Sequence, residues 1–484
     1  MKLRLGAVAA VLTTTALVPT VADPPAGAEP APGSPVALTA ASTVTVTTYD
    51  GTIDDIGLGL LARDRAFEIR SQRPTWTSPI RTTWQSPGGP VVLPAGTQDR
   101  WPALNGFVYL AITRATDGKV VRTRRLDLCL NSWNTQRTRP DAPLRSPYPQ
   151  GCPAHPFTLG SVQGIQRGWL SSVGLDGAAL RLPPGTYTVL ARIGRPYVDA
   201  LGIRTADAVR SYRLVVRKET DVGVDRAADG RRTAARPRPD ARPTAARAGA
   251  PGDAVPDLRS LPAFGMQVSE DSRYLRFSAT VWNAGDGPMV VDGFRRGTSD
   301  VMDAYQYFID RDGNQTGYRK VGTMIWHKAP SHNHWHFKDF AKYSLLRADK
   351  SEVVVSRKES FCLANTDAVD YTVPGADWQP ENTDLHTACG DRGSISLREV
   401  LAPGSGDTYQ QFRAGQAFRI DNLPNGDYYI AVEANPNRNL VESSTTNNRA
   451  LRKLRLSGTP GHRKVTYYKV GLVDDHGYGT DEEH

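Results

Sequence analysis

An all-β fold, with two antiparallel β-sandwich domains joined by a disordered linker, is the architecture this sequence predicts. Short runs alternate polar and apolar residues with a period of two, as in Thr43-Val-Thr-Val-Thr-Thr-Tyr, Gly106-Phe-Val-Tyr-Leu-Ala-Ile, Tyr212-Arg-Leu-Val-Val and Leu275-Arg-Phe-Ser-Ala-Thr-Val-Trp. Successive side chains of a strand point to opposite faces, so each run offers one face to a core, and the Gly, Pro, Asn and Asp residues between the runs supply turns. Long helical periodicity is absent, which leaves sheet packed on sheet as the way to bury these faces. A chain of 484 residues with 39% hydrophobic and 8% aromatic content exceeds one ordinary domain and can bury two cores.

The segments follow in order. Residues 1–28 read as a secretory signal, because Lys2 and Arg4 precede an apolar stretch from Leu5 to Val21, and Ala22 and Ala26-Gly27-Ala28 suit a signal peptidase. A membrane anchor is the weaker reading: the stretch is short for a span and carries threonines and a proline. Residues 29–42 are read as a flexible segment and 43–219 as an N-terminal β-sandwich domain. From about 220 to 253 the chain is Ala, Arg, Pro, Gly and Asp with almost no large apolar residue, so it has little to set against the entropy of ordering. Between Asp225 and Arg247 seven arginines face three aspartates, which places +4 of the formal +9 charge in this linker. A solvated tether is the first reading, with contact to an anionic cell wall as the functional one. The linker lacks aromatics that would stack on bases, and nucleic acid is not expected as a partner. Residues 254–459 form the second domain and 460–484 a C-terminal tail.

Cys129 and Cys152 lie close in sequence on one side of the chain's middle, and Cys362 and Cys389 on the other. In an exported protein this favours one disulfide per domain, although four cysteines permit three connectivities. An internal echo links the halves: Leu182-Pro-Pro-Gly-Thr-Tyr-Thr-Val matches Leu423-Pro-Asn-Gly-Asp-Tyr-Tyr-Ile, in each case a turn feeding a strand. Asp310-Arg-Asp-Gly-Asn opens like a calcium loop but has Val321 where a bidentate carboxylate is needed, so a hairpin turn is expected there. No Gly-x-Ser-x-Gly elbow, phosphate-binding loop or His-Glu-x-x-His occurs, which removes the serine hydrolase, nucleotide enzyme and common zinc protease classes.

The chemistry concentrates in the run from Trp326 to His336, which holds four of the nine histidines: His327, His332, His334 and His336. In an extended strand, residues i, i+2 and i+4 share a face at steps of about 6.7 Å, so His332, His334 and His336 can converge on one metal ion. Three neutral imidazoles with an open position suit copper or zinc.

The segment from about Val255 to Leu456 resembles the catalytic domain of the lysyl oxidase family. The pieces that carry the resemblance are Val255-Pro-Asp-Leu, Trp326-His followed by His-Asn-His-Trp-His, Tyr343-Ser-Leu-Leu, Lys358-Glu-Ser-Phe-Cys-Leu, Asp407-Thr-Tyr409, Phe418-Arg-Ile-Asp and Val441-Glu-Ser-Ser-Thr-Thr-Asn-Asn, in the family's order. The resemblance implies copper at His332, His334 and His336, and a lysine tyrosylquinone built from Lys358 and Tyr409. It also implies a calcium clamp of Asp257, the Leu258 carbonyl, Glu442, Asn447 and Asn448, with Ser444 where the family has an acidic ligand. Other departures are Lys328-Ala-Pro-Ser331, which lacks the cysteine of animal enzymes, and Lys342 in place of a histidine proposed as proton acceptor. His327 and Asp339 are then the candidates for the base.

The activity the resemblance implies is oxidative deamination of a primary amine, from a lysine-bearing protein or a small molecule, by a secreted enzyme. The amine adds to a quinone carbonyl, a base removes the α-proton, hydrolysis releases the aldehyde, and molecular oxygen restores the quinone with release of hydrogen peroxide and ammonia. For the quinone to form, the lysine amine must be neutral, which at pH 7 costs an ordinary lysine about 4.6 kcal/mol at roughly 1.36 per pKa unit. The reading from a different class is a non-catalytic secreted protein whose oxidase-like domain only holds a metal or a surface.

Overall fold

The computed structural model describes residues 33–48, 50–131, 134–175, 179–218, 242–327, 334–356, 358, 360–380, 385–413 and 415–475. The proposed signal segment, most of the linker, His332 and the last residues of the chain lie outside the described residues. Among the described residues the fold is almost wholly β, and Arg195–Leu201 and Thr205–Ala208 are its helices. No described helix is long and apolar enough to cross a membrane.

In the first half, one sheet runs in the order Thr43–Thr48, Val209–Lys218, Gly185–Ile193, Leu104–Arg114, Val120–Leu128, parallel in its first pair and antiparallel after it. The alternation seen in the sequence is what positions it: Tyr187, Val189 and Ala191 turn inward with Tyr212, Leu214 and Val216, while the residues between them face out. Two four-stranded sheets lie in the same half, one of them ordered Gly160–Ile165, Phe67–Gln72, Arg81–Ser86, Gly89–Val92.

The second half has three sheets. One holds Ser360–Phe361, Trp335–Lys338, Gln315–Trp326, Val301–Ile309, Met289–Arg295 and Ser396–Leu401 in that order. Arg247–Gly249, at the end of the segment read as linker, pairs with Gln315–Trp326 at its side. A second sheet runs Glu352–Val355, Ala341–Arg347, Gly426–Ala434, Arg449–Thr459, His462–Tyr467, so the start of the 460–484 segment closes a hairpin on it. A third is built on Tyr274–Asn283, flanked by Leu258–Ser260 and Ser405–Tyr409, with Asp367–Ala368 beyond the latter. The expected hairpin turn is present: the Asp310 carboxylate accepts the N–H groups of Asp312 and Asn314 between the strands Val301–Ile309 and Gln315–Trp326.

Both predicted disulfides form, Cys129–Cys152 and Cys362–Cys389. The sequence echo is also an echo of contacts. Tyr187 donates its hydroxyl to the Pro183 carbonyl at 2.7 Å, and Tyr428 donates to the Pro424 carbonyl at 2.7 Å, each strand tyrosine locking the turn that precedes it.

Tyr274–Asn283 reads as a half-buried strand at its start and is buried on both faces from Phe277 onward. One face, with Leu275, Phe277, Ala279 and Val281, enters the second-half core. The other meets the first half, whose Phe157 joins Phe264, Trp282, Val369 and Val473 of the second in a separate apolar cluster. His155 is buried there, its Nε2 2.9 Å from the Thr280 hydroxyl, which lies 2.8 Å from the Thr408 hydroxyl. The Arg452–Asp475 ion pair beside this cluster is almost fully buried, and the backbone N–H of Leu472 donates to the Trp76 carbonyl. The two halves therefore share a packed junction.

Candidate active site

Two adjoining strand segments bring the expected groups together. Trp335–Lys338 carries His336 and pairs Phe337 with Phe361 and Lys338 with Ser360, so the histidine strand lies directly beside the chain that leaves Lys358. His336 is fully buried, and its Nδ1 is 3.2 Å from the Ser360 hydroxyl. Its Nε2 faces the Nε2 of His334 at 2.8 Å. Two nitrogens bound to one ion at about 2.0–2.1 Å and about a right angle would stand about 2.9 Å apart, so this pair has the spacing of adjacent ligands. Among the described residues no group of three His, Cys, Asp or Glu side chains is gathered for a metal, and the third expected ligand, His332, lies outside them. His327 is within reach: its ring centroid is 5.2 Å from that of His336, and burial, with the Lys358 charge second, pushes its pKa below the ordinary value.

Lys358 follows Ser356, whose hydroxyl accepts the Lys358 N–H at 3.1 Å and donates to the Gly415 carbonyl at 2.5 Å. The side chain turns inward, and its Nζ stands 4.1 Å from the centroid of the Tyr409 ring and 5.4 Å from that of Phe361. Tyr409 ends the strand Ser405–Tyr409, opposite Ala279. Its ring meets Phe361 edge to face at 5.0 Å, and its hydroxyl is tied to the backbone of Cys362. Burial pulls the Lys358 ammonium down to about 8, against a smaller opposing effect of Asp407. Burial, reinforced by Asp407, raises the Tyr409 phenol well above its ordinary value.

Two buried acids complete the pocket. Asp407 sits two residues before Tyr409 on the same strand face, and Glu399 accepts the Leu363 N–H at 3.0 Å. One oxygen of each, Asp407 Oδ2 and Glu399 Oε1, is buried without a hydrogen-bond partner. Burial raises both carboxyls well above the carboxylate range, so both favour the protonated form. Glu399 escaped sequence reasoning because it lies outside the family motifs, in an ordinary alternating strand. Asp407 carried a usable signal, its i−2 relation to Tyr409.

The other base candidates are placed less closely. Asp339 occupies the turn after the histidine strand with a left-handed φ of 61°. Lys342, which replaces the expected histidine, pairs with Glu352 at 2.8 Å.

The expected calcium residues also meet. Glu442 accepts the Leu258 N–H at 2.9 Å and the Asn448 side-chain amide at 2.8 Å, and Asn447 donates to both oxygens of Asp257 at 3.0 Å. Asn447 Oδ1 and Asn448 Oδ1 are buried without hydrogen-bond partners, and burial raises the Glu442 carboxyl. Ser444 turns to Thr446 instead, with its hydroxyl at 3.0 Å.

These features define an all-β domain in which a histidine-bearing strand lies next to a buried lysine–tyrosine pair. Residues 305–464 match the family model for lysyl oxidase, and the resemblance to that family holds over this part of the chain. Lysyl oxidase homolog 2 of Gallus gallus is 27% identical over 192 residues, 40% of this chain and 21% of that protein. Lysyl oxidase homolog 2 of Xenopus tropicalis is 27% identical over 231 residues, 47% and 26% of the two chains. Lysyl oxidase homolog 4 of Mus musculus is 31% identical over 127 residues, 26% and 14% respectively. The chain thus spans about a quarter or less of the curated relatives it matches. An amine oxidase-like function is what this similarity supports.

Proposed function

We propose that this protein is a secreted, copper-dependent amine oxidase that deaminates protein lysine or small primary amines with a lysine tyrosylquinone formed from Lys358 and Tyr409. The observation that carries the reading is the 4.1 Å approach of the Lys358 nitrogen to the Tyr409 ring, two groups far apart in sequence that must join for such a cofactor to exist. The donor set fits copper: His334 and His336 present imidazole nitrogens at 2.8 Å to each other, and His332 would complete the set. Bound there, copper and oxygen would supply the oxidation that turns the phenol ring into the quinone.

The chain's own residues do the rest. At about 8, the pKa of Lys358 lies roughly one unit above pH 7, so neutralising the amine costs about 1.4 kcal/mol, a fraction of what an exposed lysine requires. Asp407, buried with one oxygen unpartnered, lies close enough to influence Lys358, but its raised pKa keeps it protonated, so it is not the acceptor of that proton. The Cys362 backbone and Phe361 hold the Tyr409 ring in one orientation. His327 joins this proton-handling set from the histidine side.

Calcium fits the second cluster. Asp257, Glu442, the Leu258 carbonyl and the unpartnered carbonyl oxygens of Asn447 and Asn448 are hard donors, and an ion among them would tie the strand Leu258–Ser260 to the segment before Arg449–Thr459. Secretion rests on the signal read in residues 1–28.

Peptide mass spectrometry of copper-loaded, aerobically matured protein tests the function. A covalent Lys358–Tyr409 peptide together with amine-dependent peroxide release is expected. Unmodified peptides would overturn the reading, and metal retention without peroxide release would favour the non-catalytic alternative.

A further inference from the structure

The outer face of the first half's five-stranded sheet carries a row of arginines that no carboxylate among the described residues neutralises. On this face Arg192 and Arg125 stand directly opposite Tyr109, one on each neighbouring strand. Arg213 stands opposite Thr43 and Thr188, and Arg217 opposite Thr47. All four arginines are exposed, Tyr109 is 43% exposed, and Tyr109, Arg124, Arg125 and Arg192 line a depression of about 430 Å³. Among the described residues none of the four arginines has a carboxylate within ion-pair distance. The acids at the margins are taken by other arginines, Asp117 by Arg114, Asp127 by Arg100 and Asp199 by Arg195. Like charges gathered on one sheet face without counter-charges work against the fold, so the arrangement calls for an external anion.

We propose that this face binds an extended polysaccharide bearing carboxylate groups. Guanidinium forks pair with carboxylates bidentately, and Thr43, Thr45 and Thr47, which share one face of the edge strand next to Arg213 and Arg217, offer hydroxyls to a hydroxyl-rich chain. Nucleic acid fits less well. Tyr109 is the only aromatic pointing outward from these five strands, whereas single strands are held by several stacked bases, and a flat sheet face offers no element to enter a duplex groove. The site is separate from the Lys358–Tyr409 pocket, and the inference does not depend on the proposed oxidase activity.

The test uses the full chain and two variants of equal charge change, R125Q/R192Q/R213Q on the sheet and R231Q/R232Q/R236Q in the 220–253 segment. Binding to polygalacturonate, to neutral dextran and to a single-stranded DNA oligonucleotide is measured by affinity electrophoresis at two salt concentrations, with thermal unfolding as the control for folding. Salt-sensitive binding to polygalacturonate over dextran is expected, weakened about tenfold or more by the sheet variant and far less by the other, with peroxide release from a small amine unchanged. Three results would each overturn the proposal: no preference for polygalacturonate over dextran, equal weakening by both variants, or tighter binding to DNA than to polygalacturonate.

Discussion

The phenol of Tyr409 is held by the backbone of one residue, Cys362, whose N–H donates to the hydroxyl at 2.8 Å and whose carbonyl accepts from it at 3.2 Å. This double tether leaves the ring face open to Lys358, whose nitrogen lies 4.1 Å from its centroid. Cys362 is in turn joined to Cys389, so the position of the ring depends on a covalent link to the loop before Ser396–Leu401.

Breaking that link should loosen the ring as well as the fold. The double variant C362S/C389S opens a crosslink of sequence separation 27, worth about 3–4 kcal/mol by loop entropy. Denaturant unfolding should report that loss, and the yield of Lys358–Tyr409 peptide should fall with it. An unchanged yield would show that the hydrogen bonds alone position the ring.

Lys358 makes maturation and stability depend on pH in a definite direction. Its folded-state pKa of about 8 lies below the ordinary 10.5, so the unfolded chain binds more protons between these values and stability rises with pH across that window. Below pH 8 burial of the charged amine costs about 3 kcal/mol at roughly 1.36 per unit. In metal-free protein, Lys358→Met should unfold at a higher temperature than the parent below pH 8, the gap closing toward pH 10.5. The rate of crosslink formation in the parent should rise with pH around a midpoint of about 8, and a midpoint near 10.5 would contradict the burial of the amine.

His155 carries the same kind of liability further to the acid side. Burial, only partly offset by Asp367, lowers its pKa from 6.5 to about 4, so it is neutral in the fold and charges on unfolding. Its contribution, about 3 kcal/mol, is fully present above pH 6.5 and is lost as the pH falls toward 4. His155→Gln should flatten the fall in melting temperature between pH 6.5 and 4. An unchanged acid limb would place the titration elsewhere.

Much was legible in the sequence because it was local. The period-two runs marked strands such as Gly185–Ile193 and Val209–Lys218, and paired cysteines at short separation announced both disulfides. The Pro-Gly-Tyr echo announced two turns locked in the same way. The buried role of Glu399 was not legible, because an acid in an alternating strand reads as solvent-facing until its neighbours are known. The junction around His155 was hidden for the same reason: a lone histidine among prolines gives no sign that Thr280 will stand against it.

Composition, periodicity and motif order by themselves determined an almost wholly β fold and the residue types of an oxidase-like site, and they favoured the disulfide pairs without fixing them. Only the tertiary structure decided that Lys358 and Tyr409 meet, that Asp407 and Glu399 are sealed in beside them, and that the first half packs on the strand next to Tyr409. Strand formation depends on neighbours a few residues apart, which a sequence displays. The depth at which an amine or a carboxyl is buried depends on residues brought in from distant parts of the chain, and that depth sets whether the group keeps its proton.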